Sequence, residues 1–94
     1  MRKSKINVEE TKFIAHDAGW ILVEDRPKDY FCRFADSETK PKRFVDVYYS
    51  RKGSVKLKQK KGNACYVRFN NTDELEDVFS NFYKYYHASH TILS

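Results

Sequence analysis

The amino-acid sequence predicts an α+β domain: an antiparallel sheet of about five strands, flanked by an N-terminal and a C-terminal helix packed on one face. Three observations predict it. Between Phe44 and Phe69, short runs alternate apolar and polar residues, and they are separated by Arg51-Lys52-Gly53-Ser54 and Lys60-Lys61-Gly62-Asn63, segments with hairpin-turn chemistry. Leu75, Val78, Phe79, Phe82 and Tyr86 recur at helical spacing. Seven Tyr and seven Phe supply large apolar surfaces where Leu and Ile are scarce, enough for a core within 94 residues. A single domain over residues 1–94 is expected, with a basic arm at 1–5 and a loose tail at 88–94.

The first helix is expected from about Val8 to Ala18. Asn7 and Glu10 fit a capping box, Thr11, Ile14, Ala15 and Ala18 form a narrow apolar side, and Gly19 is a natural left-handed stop. Trp20–Glu24 reads as a buried strand, and Arg26-Pro27-Lys28-Asp29 as a turn. Tyr30–Ala35 is the second strand, with Tyr30, Cys32 and Phe34 alternating against Phe31, Arg33 and Ala35. In the third, Phe44–Ser50, Val45, Val47 and Tyr49 face a core while Asp46 and Tyr48 face away. Gly53 and Gly62 are expected to supply positive φ in the two hairpin turns. Val55–Gln59 sends Val55 and Leu57 inward and Lys56 and Lys58 outward. Ala64–Phe69 sends Cys65, Val67 and Phe69 inward and Tyr66 and Arg68 outward. Asn71 with Glu74 caps the second helix, whose first turns carry Asp73, Glu74, Glu76 and Asp77, complementing the helix dipole.

The charge is segregated. Residues 40–68 hold ten Lys or Arg against one acid, Asp46, a local charge of +9 in a chain whose net charge is +5. A segregated positive field, with a pI near 9.2, points to a polyanionic partner. The alternation turns this run into a face. Arg33, Tyr48, Lys56, Lys58, Tyr66 and Arg68 are expected on the side away from the helices, with Phe31 beside Arg33. Lys42, Arg43, Arg51, Lys52, Lys60 and Lys61 lie at the strand ends and turns. Cations neutralise phosphates and release counterions, while flat rings stack on bases. The expected function is nucleic-acid binding, to DNA or RNA of either strandedness. The alternative is a small accessory or inhibitor protein whose Tyr83, Tyr85, Tyr86 and basic face dock on an acidic protein partner. A solvated sheet face with Lys guarding its edges explains part of the same pattern.

Other chemistries find little support. Cys32 and Cys65 stand alone, without the paired spacing of a metal site, and His87 and His90 do not complete one; both cysteines suit core positions in a reducing, intracellular setting. Glu24, Asp25 and Asp29 near Lys28 only faintly resemble a nuclease arrangement. His16 beside Asp17 reads as an exposed pair. No phosphate-cradling Gly-rich loop is present. The expectation is a non-enzyme without metal or cofactor. No apolar run approaches the roughly 20 residues of a membrane span, and the basic start at Arg2–Lys5 lacks the apolar core of a signal peptide.

Overall fold

The computed structural model describes residues 8–49, 53–60, 62–69 and 71–86. The expected arm at 1–5, the Ile6–Asn7 cap, Arg51, Lys52, Lys61, His87, His90 and the expected tail lie outside them. The elements run α1 (Val8–Asp17), β1 (Ile21–Arg26), a 3-10 turn (Pro27–Asp29), β2 (Phe31–Ala35), β3 (Arg43–Tyr48), β4 (Gly53–Gln59), β5 (Cys65–Phe69) and α2 (Thr72–Ser80). The strands form one antiparallel meander in the order β1-β2-β3-β4-β5, as the α+β reading requires.

Both helices cover one face of the sheet. Val45, Val47, Val55, Leu57, Cys65, Val67 and Phe69, the set assigned inward by alternation, are buried with Phe34, Ala15, Leu75, Val78, Phe79 and Phe82. Truncating a fully buried residue such as Leu57 to Ala is expected to cost about 2–5 kcal/mol. Trp20 joins the segment after α1 to α2 and the turn that follows it. Its indole N–H donates to the Phe79 carbonyl at 2.9 Å, and its ring lies 5.8 Å from that of Phe79. Trp20 precedes β1, which runs Ile21–Arg26 at the edge of the sheet with Leu22 and Val23 exposed, not as the buried strand expected.

The ends of elements follow local chemistry. Gly19 stops α1 at φ 94°, as its position suggests. The Asn71 side chain accepts from the Glu74 N–H at 3.1 Å and caps α2. Asn81 then interrupts the helix, its amide N–H donating to the Asp77 carboxylate at 2.7 Å, and a further helical turn covers 82–86. Two further expectations are corrected. Tyr30 is not a strand residue: it ends the 3-10 turn with φ 53°, its N–H donating to the Pro27 carbonyl at 3.1 Å. Gly53, expected within a turn, instead begins β4 as a buried residue opposite Phe69.

Candidate functional site

The face away from the helices is built by strand register. One row runs Arg26, Phe31, Tyr48, Ser54, Arg68; the next runs Glu24, Arg33, Asp46, Lys56, Tyr66; a third runs Ile21, Ala35, Phe44, Lys58. Alternation thus delivers Tyr48, Lys56, Lys58, Tyr66, Arg68 and Arg33 to one surface, with Phe31. Phe44 has the same parity and belongs to it too.

The surface divides into two halves. On β1–β3 the charges answer one another. Arg33 donates from Nε and Nη2 to the two carboxylate oxygens of Asp46 at 2.8 and 3.1 Å, and lies 3.6 Å from Glu24. Asp46 is only 1% exposed. Arg26 pairs with Glu24 and, like Arg33, lies within cation–π distance of Phe31. The Asp46 hydrogen bonds hold the Arg33 guanidinium firmly protonated. Burial, then the Asp46 charge, pushes the Tyr48 phenol above its usual range, and the Tyr48 ring packs 5.2 Å from Phe31. This half mixes signs, contrary to the expectation that the face holds almost no acids. Arg33 is an internal partner of Asp46 and Glu24 rather than a cation awaiting a phosphate.

The β4–β5 half is different. No acidic residue lies between Gly53 and Phe69. Lys58, Tyr66 and Arg68 are exposed, Tyr66 by 49%, and Lys56 lies 6.0 Å from the Tyr66 ring centroid. Among the described residues, Lys56, Lys58, Lys60 and Arg68 make no ion pair. Among the described residues of the open face, the cations left unpaired are those of this half.

Arg43 corrects the expected set. Its parity matches Val45 and Val47, so it turns to the helix side. There its Nε donates to Asp36 at 3.0 Å, and its guanidinium lies 5.0 Å from the Tyr83 ring centroid. Burial works against the Asp36 charge, but the N–H groups of Lys42 and Arg43 and the Arg43 guanidinium outweigh it and hold the carboxyl below its usual range. Those bonds fix the 36–42 connection. Lys42 and Lys60 are exposed at the same end of the sheet, tied by the Lys60 N–H donating to the Lys42 carbonyl at 2.7 Å. With Thr39, Lys40, Pro41, Phe44 and Gln59 they line a groove of about 770 Å³. Phe44 and Lys40 were absent from the expected site residues, although strand parity marks Phe44 as outward and Lys40 sits in the basic run. Arg51, Lys52 and Lys61 lie outside the described residues.

The remaining candidates are dispersed. Asp25 sits on the helix side, accepting from Lys12 Nζ at 2.7 Å and from the Cys32 thiol at 3.3 Å, while Glu24 faces the opposite way. Glu24, Asp25 and Asp29 do not converge. Cys32 and Cys65 are buried in the core, and burial pushes the Cys32 thiol up, away from nucleophilic chemistry. Among the described residues no group of His, Cys, Asp and Glu has the arrangement of a metal site, and no helix is long and apolar enough to cross a membrane. The tyrosines of the alternative reading do not share one docking surface. Tyr86 is buried with its hydroxyl donating to the Asn63 carbonyl at 2.6 Å, Tyr85 donates to Asp77, and Tyr83 is exposed beside Arg43. Comparison with protein-family models, with curated proteins and with solved structures finds no match.

Proposed function

We propose that this protein binds nucleic acid through the β4–β5 half of its open sheet face. One observation carries the reading: Lys56, Lys58 and Arg68 share the outward surface with the exposed Tyr66 ring on strands that contain no acid, and none of the three cations has an ion-pair partner among the described residues. Cations spaced along strands can follow a phosphate backbone, and an accessible ring offers a stacking platform that tolerates any base. Lys42 and Lys60 extend the positive surface beyond the end of the sheet. Tyr48 borders it, between Phe31 and the β4 strand.

The test is a salt series of binding to single-stranded DNA, duplex DNA and RNA. Affinity is expected to fall as salt rises, by a log–log slope of about −0.7 per phosphate contact on a single strand and about −0.9 on a duplex. The triple variant Lys56→Glu, Lys58→Glu, Arg68→Glu is expected to abolish binding while keeping the cooperative thermal transition. A slope near zero on all three ligands, or an unaffected triple variant, overturns the proposal. An acidic protein would meet the same cations. A partner retained in a pull-down after nuclease digestion points to that reading instead.

A further inference from the structure

We infer that the groove over Phe44 accepts an unstacked base of a single-stranded nucleic acid, with the flanking phosphates on Lys40, Lys42 and Lys60. The inference rests on the nucleic-acid reading above and adds strandedness to it. The groove measures about 770 Å³, within the roughly 300–1,000 Å³ of small-ligand clefts, so it is larger than a surface crease and far too small for a duplex. Its lining joins an aromatic ring, Phe44, and the apolar Pro41 to three lysines, and contains no acid. Of the two acids in the same connection, Asp36 is turned to the other side of the sheet by Arg43 and lines a separate hollow with Trp20 and Tyr83, while Glu38 is exposed and is not among the groove's lining residues.

Position links the groove to the proposed face. Phe44 pairs directly with Lys58 across β3–β4, and Lys58 stands two residues from Lys56 on the same strand surface. A strand of nucleic acid lying along Lys56 and Lys58 reaches the groove without leaving positive surface. Its shape then selects the ligand. Bases of a duplex are stacked and paired and present only their edges, whereas a single strand can splay a base onto a side-chain ring. Lysines at the rim supply charge without demanding a fixed phosphate geometry, which suits a flexible strand.

The experiment compares a fluorescein-labelled polythymidine oligonucleotide with a blunt duplex of the same length. Two variants are used: Phe44→Leu, which keeps apolar packing and removes the ring, and Phe44→Trp, which keeps a ring and adds an emitter. Trp20, the one native tryptophan, is buried and reports whether the fold is intact. The native protein is expected to prefer the single strand. Phe44→Leu is expected to weaken single-strand binding by roughly 5- to 100-fold, the worth of one stacked base, and to leave duplex binding unchanged. The indole added by Phe44→Trp is expected to be quenched by the single strand and not by the duplex. Equal binding of single strand and duplex overturns the inference, as does an indifferent Phe44→Leu variant with native Trp20 emission. If binding depends on Lys56, Lys58 and Arg68 but not on Phe44, the groove assignment falls and the sheet-face reading stands. If neither ligand binds, both fall.

Discussion

Arg33 grips both carboxylate oxygens of Asp46 across the β2–β3 ladder, at 2.8 and 3.1 Å, and so divides the open face of the sheet into a neutralised half and a basic half. Asp46 is almost wholly buried, whereas the Arg33 side chain remains 39% exposed and can recover water. The pair is a boundary as much as a brace.

Replacing that acid tests the boundary. Asp46→Asn is expected to destabilise the domain by about 1–3 kcal/mol, the cost of a weakened charge-assisted hydrogen bond, at the lower end because Arg33 can rehydrate. With Asp46 neutralised, only Glu24 still opposes Arg33, and the positive field of Lys56 and Lys58 extends to it. Nucleic-acid affinity is therefore expected to rise and its salt slope to steepen by about one phosphate contact. Urea unfolding and a salt titration of the same variant check both. Loss of stability without a change in slope counts against that extension.

The turn before β5 depends on glycine. Gly62 has φ 142°, and a Cβ there lies 2.7 Å from the Tyr86 hydroxyl, which donates to the neighbouring Asn63 carbonyl. Gly62→Ala is expected to cost about 1–3 kcal/mol through backbone strain and this clash. The double variant Gly62→Ala, Tyr86→Phe removes the obstructing oxygen. It is expected to lose less than the sum of its two single variants, a non-additivity that chemical denaturation measures directly.

Acid is expected to destabilise the fold through three carboxylates held below their ordinary 3.8. Asp25 is held there by the Lys12 and Cys32 hydrogen bonds, and Asp77 by Tyr85, Asn81 and Lys84. For Asp36, the Lys42 and Arg43 donors prevail over burial. A carboxyl with a depressed folded-state pKa gives stability that is complete above its unfolded pKa and is lost as pH falls through the folded one. The urea midpoint is therefore expected to be flat from neutrality to about pH 5 and to drop below about pH 4. Lys12→Met should lower the neutral-pH midpoint and make the acid drop shallower, because it removes the main cause of the Asp25 shift. Tyr85 acts at the other extreme. Asp77 pushes its phenol up to about 12, so this contribution is full below pH 10 and disappears in stronger base.

Much of the architecture was legible because burial follows the period of each element. The alternation of Val55, Lys56, Leu57 and Lys58 and the stripe from Leu75 to Tyr86 each assign faces without reference to the rest of the chain. Arg43 was legible in principle, since it shares parity with Val45 and Val47, but its place in the basic run obscured that signal. The Arg33–Asp46 pair was not. Their opposition depends on the β2–β3 register, and the long 36–42 connection does not fix a register as a tight hairpin does. The groove was hidden for the same reason: Thr39, Lys40 and Pro41 meet Gln59 and Lys60 only after that connection is folded.

The uninterrupted meander has a kinetic consequence. Every ladder joins strands adjacent in the chain, so the sheet can grow hairpin by hairpin with short loop closures. Anchoring the segment after α1 on α2 is another matter, since the Trp20–Phe79 hydrogen bond spans 59 residues. Substitutions in the β3–β4 ladder are then expected to slow folding. Those that loosen Trp20 should chiefly hasten unfolding, which makes the indole a latch set last and released first.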